Sequence, residues 1–179
     1  DHVANTMSAP YYRFDGTDDK VEVADNANLD FGTGSFSFEA LVRLDDYTSS
    51  TIISKYVDGN NGWRFSTDSN DYLAIYAISG GTSGVHCTAT ETGGLTDGQW
   101  AHVAFTTDRA TGQFYVNGVA VGTAITNVDA DDLDNSGAFD IMHNLYGSLY
   151  TAGEVARVRI FNKALTATEV KELYSGASV

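Results

Sequence analysis

This sequence predicts an all-β fold, a two-sheet antiparallel jelly-roll sandwich with one short C-terminal helix, on three observations. Residues 36–44 alternate strictly. Phe36, Phe38, Ala40, Val42 and Leu44 fall on one side, with Ser37, Glu39, Leu41 and Arg43 on the other, the period of a half-buried strand. Asn117-Gly118 lies between two β-rich runs, and Asn-Gly is the strongest short hairpin signal because a type I′ turn needs positive φ at both central residues. About a dozen runs of this kind, each bounded by Asp, Asn, Gly or Ser, precede the one stretch with helical spacing.

In chain order, 1–10 is polar and unpatterned, an arm or linker, and 11–179 reads as one domain. Short strands at 11–14 and 20–23 flank the turn 15–19. A loop, 25–34, leads to the strand at 35–44, in which Glu39 follows the solvent side. Further strands are expected at 51–56, 62–67, 72–78 and 84–90. In 100–108, Ala101, Val103 and Phe105 share a face. The Asn-Gly turn then sets Val116 opposite Val119, Phe114 opposite Val121 and Tyr115 opposite Ala120, which predicts a central antiparallel meander. After an acidic loop, 124–137, come strands at 138–142 and 154–162. Thr166 and Glu169 form a capping-box pattern, Val170, Leu173 and Tyr174 share a helical face, and Gly176 is placed to end the helix.

Composition narrows the class. With 42% hydrophobic residues, 18 Gly and one Pro, the chain suits a packed, turn-rich β protein rather than a disordered one. Its 179 residues allow one core that buries roughly 70% of the unfolded surface. A net charge of −14 repels nucleic acid and anionic membranes and favours cations. Cys87 is the sole cysteine, so no internal disulfide forms. No run approaches the ~18 apolar residues of a membrane span, so no membrane insertion is expected. The chain starts at Asp1 without an initiator Met or a signal peptide and reads as a processed product or an excised domain.

Six segments in order carry a resemblance: FDGTDDKVEV at 14–23, LDFGTGSFSFEA at 29–40, ISK at 53–55, DGQWAHVA at 97–104, YVNG at 115–118 and GEVARVRIFNKALT at 153–166. Together they resemble the laminin-G-like, pentraxin-related branch of the concanavalin A-like lectin/glucanase superfamily. The resemblance implies a concanavalin A-like jelly roll of about 14 strands. It says far less about function, since this fold hosts lectins, adhesion modules, enzymes and structural proteins.

Catalysis is not expected. Glycoside hydrolysis needs two carboxylates across the scissile bond, and no Glu-x-Asp-x-Glu or Glu-x-Asp-x-x-Glu run is present. No Gly-x-Ser-x-Gly or phosphate loop occurs, and His86 and Cys87 are strand neighbours that point opposite ways. Calcium, Ca²⁺, is the cofactor that the acidic turns suit, because clustered carboxylates match a hard cation. One candidate set is Asp15 and Asp18, beside Asp19. The other is the loop with Asp129, Asp132 and Asp134, which has the first half of an EF-hand-like pattern but His143 where the closing Glu would be. In related domains a late-strand Asp can complete a calcium site with the N-terminal turn, and Ala156 stands at that position. The pentraxin ligand-calcium acids have no counterpart in 142–146.

For sugar recognition, the loop 56–63 offers Tyr56, Asp58, Asn60 and Asn61, and the loop 143–150 offers His143, Asn144, Tyr146 and Tyr150. The resemblance implies that both loops lie at one edge of the concave sheet. Asn60 and Asn144 are expected outside the core, whereas Trp63, Trp100 and His102 are expected inside it. The expected function is non-catalytic, lectin-like recognition or adhesion by an extracellular bacterial or phage surface protein, with a glycan or cell-surface polysaccharide as partner. The competing class is a structural decoration or appendage protein of a virion or cell surface, which would bind copies of itself or other surface proteins.

Overall fold

The period-two runs become strands, and their apolar faces meet between two sheets. In a computed structural model, residues 10–126, 128 and 132–177 are described. The strands are β1 (Tyr12–Asp15), β2 (Val21–Val23), β3 (Phe36–Leu44), β4 (Thr51–Asp58), β5 (Asn61–Thr67), β6 (Leu73–Ser79), β7 (Thr82–Thr88), β8 (Ala101–Thr107), β9 (Thr111–Val116), β10 (Val119–Thr126), β11 (Ala138–Ile141), β12 (His143–Asn144), β13 (Leu149–Tyr150) and β14 (Ala152–Phe161). The helix α1 (Ala167–Ala177) follows. One six-stranded sheet runs β1-β14-β3-β8-β9-β10, the other runs β2-β11-β4-β5-β6-β7, and β12-β13 is a separate hairpin. Every pairing is antiparallel. The chain passes repeatedly between the sheets, as a jelly roll requires.

The Asn117-Gly118 hairpin has its predicted register, with Val116 opposite Val119, Tyr115 opposite Ala120 and Phe114 opposite Val121. Both turn residues have positive φ, 50° and 74°. The meander it belongs to is central at one end only. β3 and β8 are the two middle strands and β10 is an edge strand, so the meander runs from the centre of the sheet out to its edge.

Phe36, Phe38, Phe105 and Phe114 of the first sheet meet Trp63, Phe65 and Phe139 of the second in one buried cluster. Trp63 stacks on Phe38 with ring centroids 4.8 Å apart and planes 18° apart, which joins the two sheets face to face. Trp100 is different. It is only partly buried, edge-on to Tyr11 at 5.7 Å.

The outer face of the first sheet is also covered, and two expectations change there. Val170 and Leu165 bury against Ala104 and Tyr115, so α1 lies over β8 and β9. Glu39 is therefore not on a solvent side: it is fully buried and binds His102 Nε2 at 2.5 Å, Arg157 Nε at 2.9 Å and Arg159. Burial alone would push its carboxyl up, but the bonds from His102 and Arg159 and the charge of Arg157 outweigh that and hold it at about 2. The capping box forms as predicted, with Glu169 N donating to Thr166 Oγ1 at 3.2 Å and Thr166 N donating to Glu169 at 2.8 Å. Gly176 does not end the helix, which continues to Ala177.

Candidate functional site

In β5, Trp63 and Phe65 point into the core, so Arg64 between them belongs to the opposite, outer face. In β6, Leu73, Ile75 and Ala77 are core, which sends Tyr76 outward beside Arg64, its paired residue. The β12–β13 hairpin folds over the outer face of neighbouring β4, where Ser54 Oγ donates to the His143 carbonyl at 2.7 Å. Hairpin and sheet together enclose an open groove of about 790 Å³.

The Arg64 guanidinium lies over the Tyr76 ring, 4.3 Å from its centroid, at a distance suited to cation–π attraction. Tyr72, Thr67 and Thr88 also line the groove. One wall is the turn with Asp68, Ser69 and Asn70. The other is Asn144, Tyr146, Gly147 and Leu149. Asp68 is the one carboxylate among the described lining residues, and its Oδ1 already accepts from Asn70 N (2.7 Å) and Tyr72 N (3.1 Å).

The two loops singled out in the sequence come together. Tyr56 stacks on Tyr146 with centroids 6.3 Å apart and planes 23° apart, and Gly59 packs beneath the Tyr146 ring, where a Cβ would lie 3.1 Å from it. Of the eight residues, however, only Asn144 and Tyr146 line the groove. Tyr56 is buried behind Tyr146. Burial raises its hydroxyl pKa, and the nearby Arg64 charge opposes that rise. Asp58, Asn60 and Asn61 form the tip of the β4–β5 turn. Asp58 Oδ1 accepts from Asn60 N at 2.7 Å, and Asn61 Oδ1 accepts from Gly80 N at 2.9 Å, so they tie this turn to the β6–β7 turn.

His143 is buried, with Nδ1 2.8 Å from Asp140 Oδ2 and its ring 4.5 Å from that of the partly buried Tyr150. Asn144 is also buried, 2% exposed, contrary to the expectation that it stands outside packed structure, and its Oδ1 accepts from Tyr146 N at 3.0 Å. That bond shapes the hairpin tip and keeps Tyr146 half exposed at the rim.

Asp15, Asp18 and Asp19 converge on the β1–β2 turn, with ligand oxygens all within 4.8 Å of one another, the one such group among the described residues. This donor set suits a hard cation. Asp129 lies outside the described residues. Asp132 Oδ1 accepts from Asp134 N at 3.0 Å, and Asp134 accepts from Gly32 N, so the acidic loop is fastened to the 25–34 loop. Between those loops the Lys55 ammonium, fully buried, meets Asp25 and Asp30 at 2.9 Å each and the Asn135 carbonyl.

The sequence reading missed the groove floor of Arg64, Tyr72 and Tyr76. One signal was available: Arg64 and Tyr76 occupy outward positions of strands whose inward positions are plainly apolar.

Known structures share this architecture. A heptameric serum-amyloid-P-like pentraxin from Limulus polyphemus superposes with a TM-score of 0.64 at 16% identity, over 92% of this chain and 81% of that one. The binding domain of botulinum neurotoxin DC, solved with rat synaptotagmin II, gives 0.70 at 20% identity. A botulinum neurotoxin type C structure, whose cell entry is described as dependent on two ganglioside molecules, gives 0.71 at 18%. The chain spans 97% of itself but only 44% of each toxin chain. At these identities the likeness is one of fold. No curated protein sequence matches the chain. A family model does, over residues 15–171, and the chain therefore belongs to the laminin-G-like family of the concanavalin A-like lectin/glucanases superfamily.

Proposed function

We propose that this domain is a non-catalytic recognition module, displayed outside the cell, that binds a glycan in the groove on the outer face of β4 to β7. The observation that carries the reading is the lining: Tyr72 and Tyr146, the stacked Arg64–Tyr76 pair, the Asn144 amide, Thr67 and Thr88 around one open concavity. Aromatic faces beside fixed polar groups are what a sugar ring requires. The absence of a carboxylate pair among the described lining residues supports binding over hydrolysis. The gangliosides and the synaptotagmin II bound by the toxins support carbohydrate or protein partners in general. Calcium at the Asp15–Asp18–Asp19 turn belongs to this reading as a structural ion, supported by the convergence of those carboxylates.

A second reading has its own observation. Leu145, Tyr146 and Leu149 are 45%, 50% and 54% exposed at one hairpin tip, which suits a protein contact in a surface or virion assembly. A glycan array run with and without calcium, followed by titration of Tyr146→Ala, separates the two. Loss of stacking costs about 1 kcal/mol, close to a fivefold weaker affinity. Wild-type silence across the array, with self-association in solution, supports the structural reading. Undiminished glycan affinity in Tyr146→Ala removes the groove as the site.

A further inference from the structure

We infer that the groove selects an acidic sugar, with one anionic group, carboxylate or sulfate ester, docking on the Arg64 guanidinium. This rests on the glycan reading above and narrows its ligand class. The chain has ten basic residues against 24 acids. Lys20, Arg43, Lys55, Arg157, Arg159 and Lys163 each pair with a carboxylate, and Arg109 bonds the carbonyls of Gly32 and Gly34. Arg13, Arg64 and Lys171 have no carboxylate partner among the described residues; Arg13 and Lys171 are exposed, whereas Arg64 is half-buried and lines the groove.

Its position makes that isolation informative. The guanidinium is half-buried on the floor of the concavity, with one flat face on the Tyr76 ring at 4.3 Å. Stacking by the face leaves the N–H edge, part of which lies beside the Tyr56 hydroxyl, for hydrogen bonding, and that planar fork matches the two oxygens of a carboxylate or sulfate. Holding the fork in place also reduces the side-chain entropy lost when a ligand arrives. Asp68, the one carboxylate among the described lining residues, accepts from its own turn amides and forms no ion pair with Arg64.

The rest of the molecule limits the ligand's charge. A net charge of −14 repels a dense polyanion, and among the described lining residues Arg64 is the one cation to offset it. The ligand that fits carries about one charge in the segment that fills the groove, with neutral rings on either side to meet Tyr72 and Tyr146.

The test uses matched oligosaccharides: one containing a single glucuronate, the same compound with that carboxyl reduced to the alcohol, and a mono-sulfated counterpart. Affinities are measured by calorimetry for wild type, Arg64→Gln, Arg64→Lys and Tyr146→Ala, with melting temperatures recorded for each. The wild type is expected to prefer an anionic compound over its neutral match by about 10- to 100-fold, the range of a charge-assisted hydrogen bond. In Arg64→Gln that ratio should fall to about one. In Arg64→Lys it should fall part of the way, because the charge remains without the fork. In Tyr146→Ala both affinities should drop while the ratio persists. The anionic arm that binds more tightly identifies the group. Equal wild-type affinity for charged and neutral compounds overturns the acidic preference but leaves the glycan reading intact, and so does a ratio that survives Arg64→Gln. No binding of any compound in the series or on the array overturns both.

Discussion

Replacing Glu39 with Gln tests whether the carboxylate beneath α1 holds the helix to the sheet. Glu39 is fully buried and accepts from His102, Arg157 and Arg159, so the amide keeps the shape but removes the charge those donors face. Breaking a buried ion cluster costs about 3–5 kcal/mol, and the low end applies because the arginine side chains are 25% and 38% exposed and retain water. A second route agrees. A carboxyl held at about 2 in the fold, against about 4.3 when unfolded, contributes about 3 kcal/mol at neutral pH. Because the folded value is the depressed one, this stability is fully present above about pH 4.3 and is lost as pH falls toward 2. At pH 3 only about half remains. Urea unfolding of wild type and Glu39→Gln should therefore differ by about 3 kcal/mol at pH 7 and by about 1.5 kcal/mol less at pH 3. A deficit below about 0.5 kcal/mol at pH 7, or one that does not shrink with acid, would refute the argument.

Two further outcomes follow from single positions. Gly62→Ala puts a methyl into the Tyr56 ring and 2.7 Å from the Lys55 carbonyl oxygen, so overpacking of about 1–3 kcal/mol is expected in thermal unfolding. Since Tyr56 supports Tyr146, glycan affinity should fall as well, and normal stability would mean that the ring can move aside. Millimolar calcium should raise the melting temperature over a chelated sample through Asp15, Asp18 and Asp19. The expected gain is about 2.7 kcal/mol at a hundredfold excess over Kd, and it should disappear in Asp18→Asn. Identical melting in calcium and chelator would count against the ion.

The fold was legible because its main signals are local and its main driving force is burial. The alternation in 36–44 needs only one apolar face per strand, and the Asn117-Gly118 register follows from φ values that few other residue pairs tolerate. What failed depends on partners distant in sequence. Glu39 looked solvated because alternation says which face is polar, not whether a helix that begins at Ala167 covers it. The whole meander looked central because its turns are the clearest, yet crossovers pair β3 with β14 and β8, which leaves β9 and β10 toward an edge.

The candidate site was half legible for a related reason. Turn residues such as Asp58, Asn60 and Asn61 advertise polarity, and their oxygens mostly close the turns that make them visible. A short Asp or Asn on a loop is as well suited to bonding its own backbone as to bonding a ligand, so composition alone cannot separate the two roles. Arg64 and Tyr76 carry the opposite signature. They are large side chains at outward strand positions, with few local hydrogen-bonding options and rigid apolar neighbours at either side in sequence. Such positions are set by the core beneath them, and they face the concavity. On a sandwich whose second sheet is only partly covered, outward aromatic and charged strand residues are therefore a better first guide to a binding face than the polar loops around it.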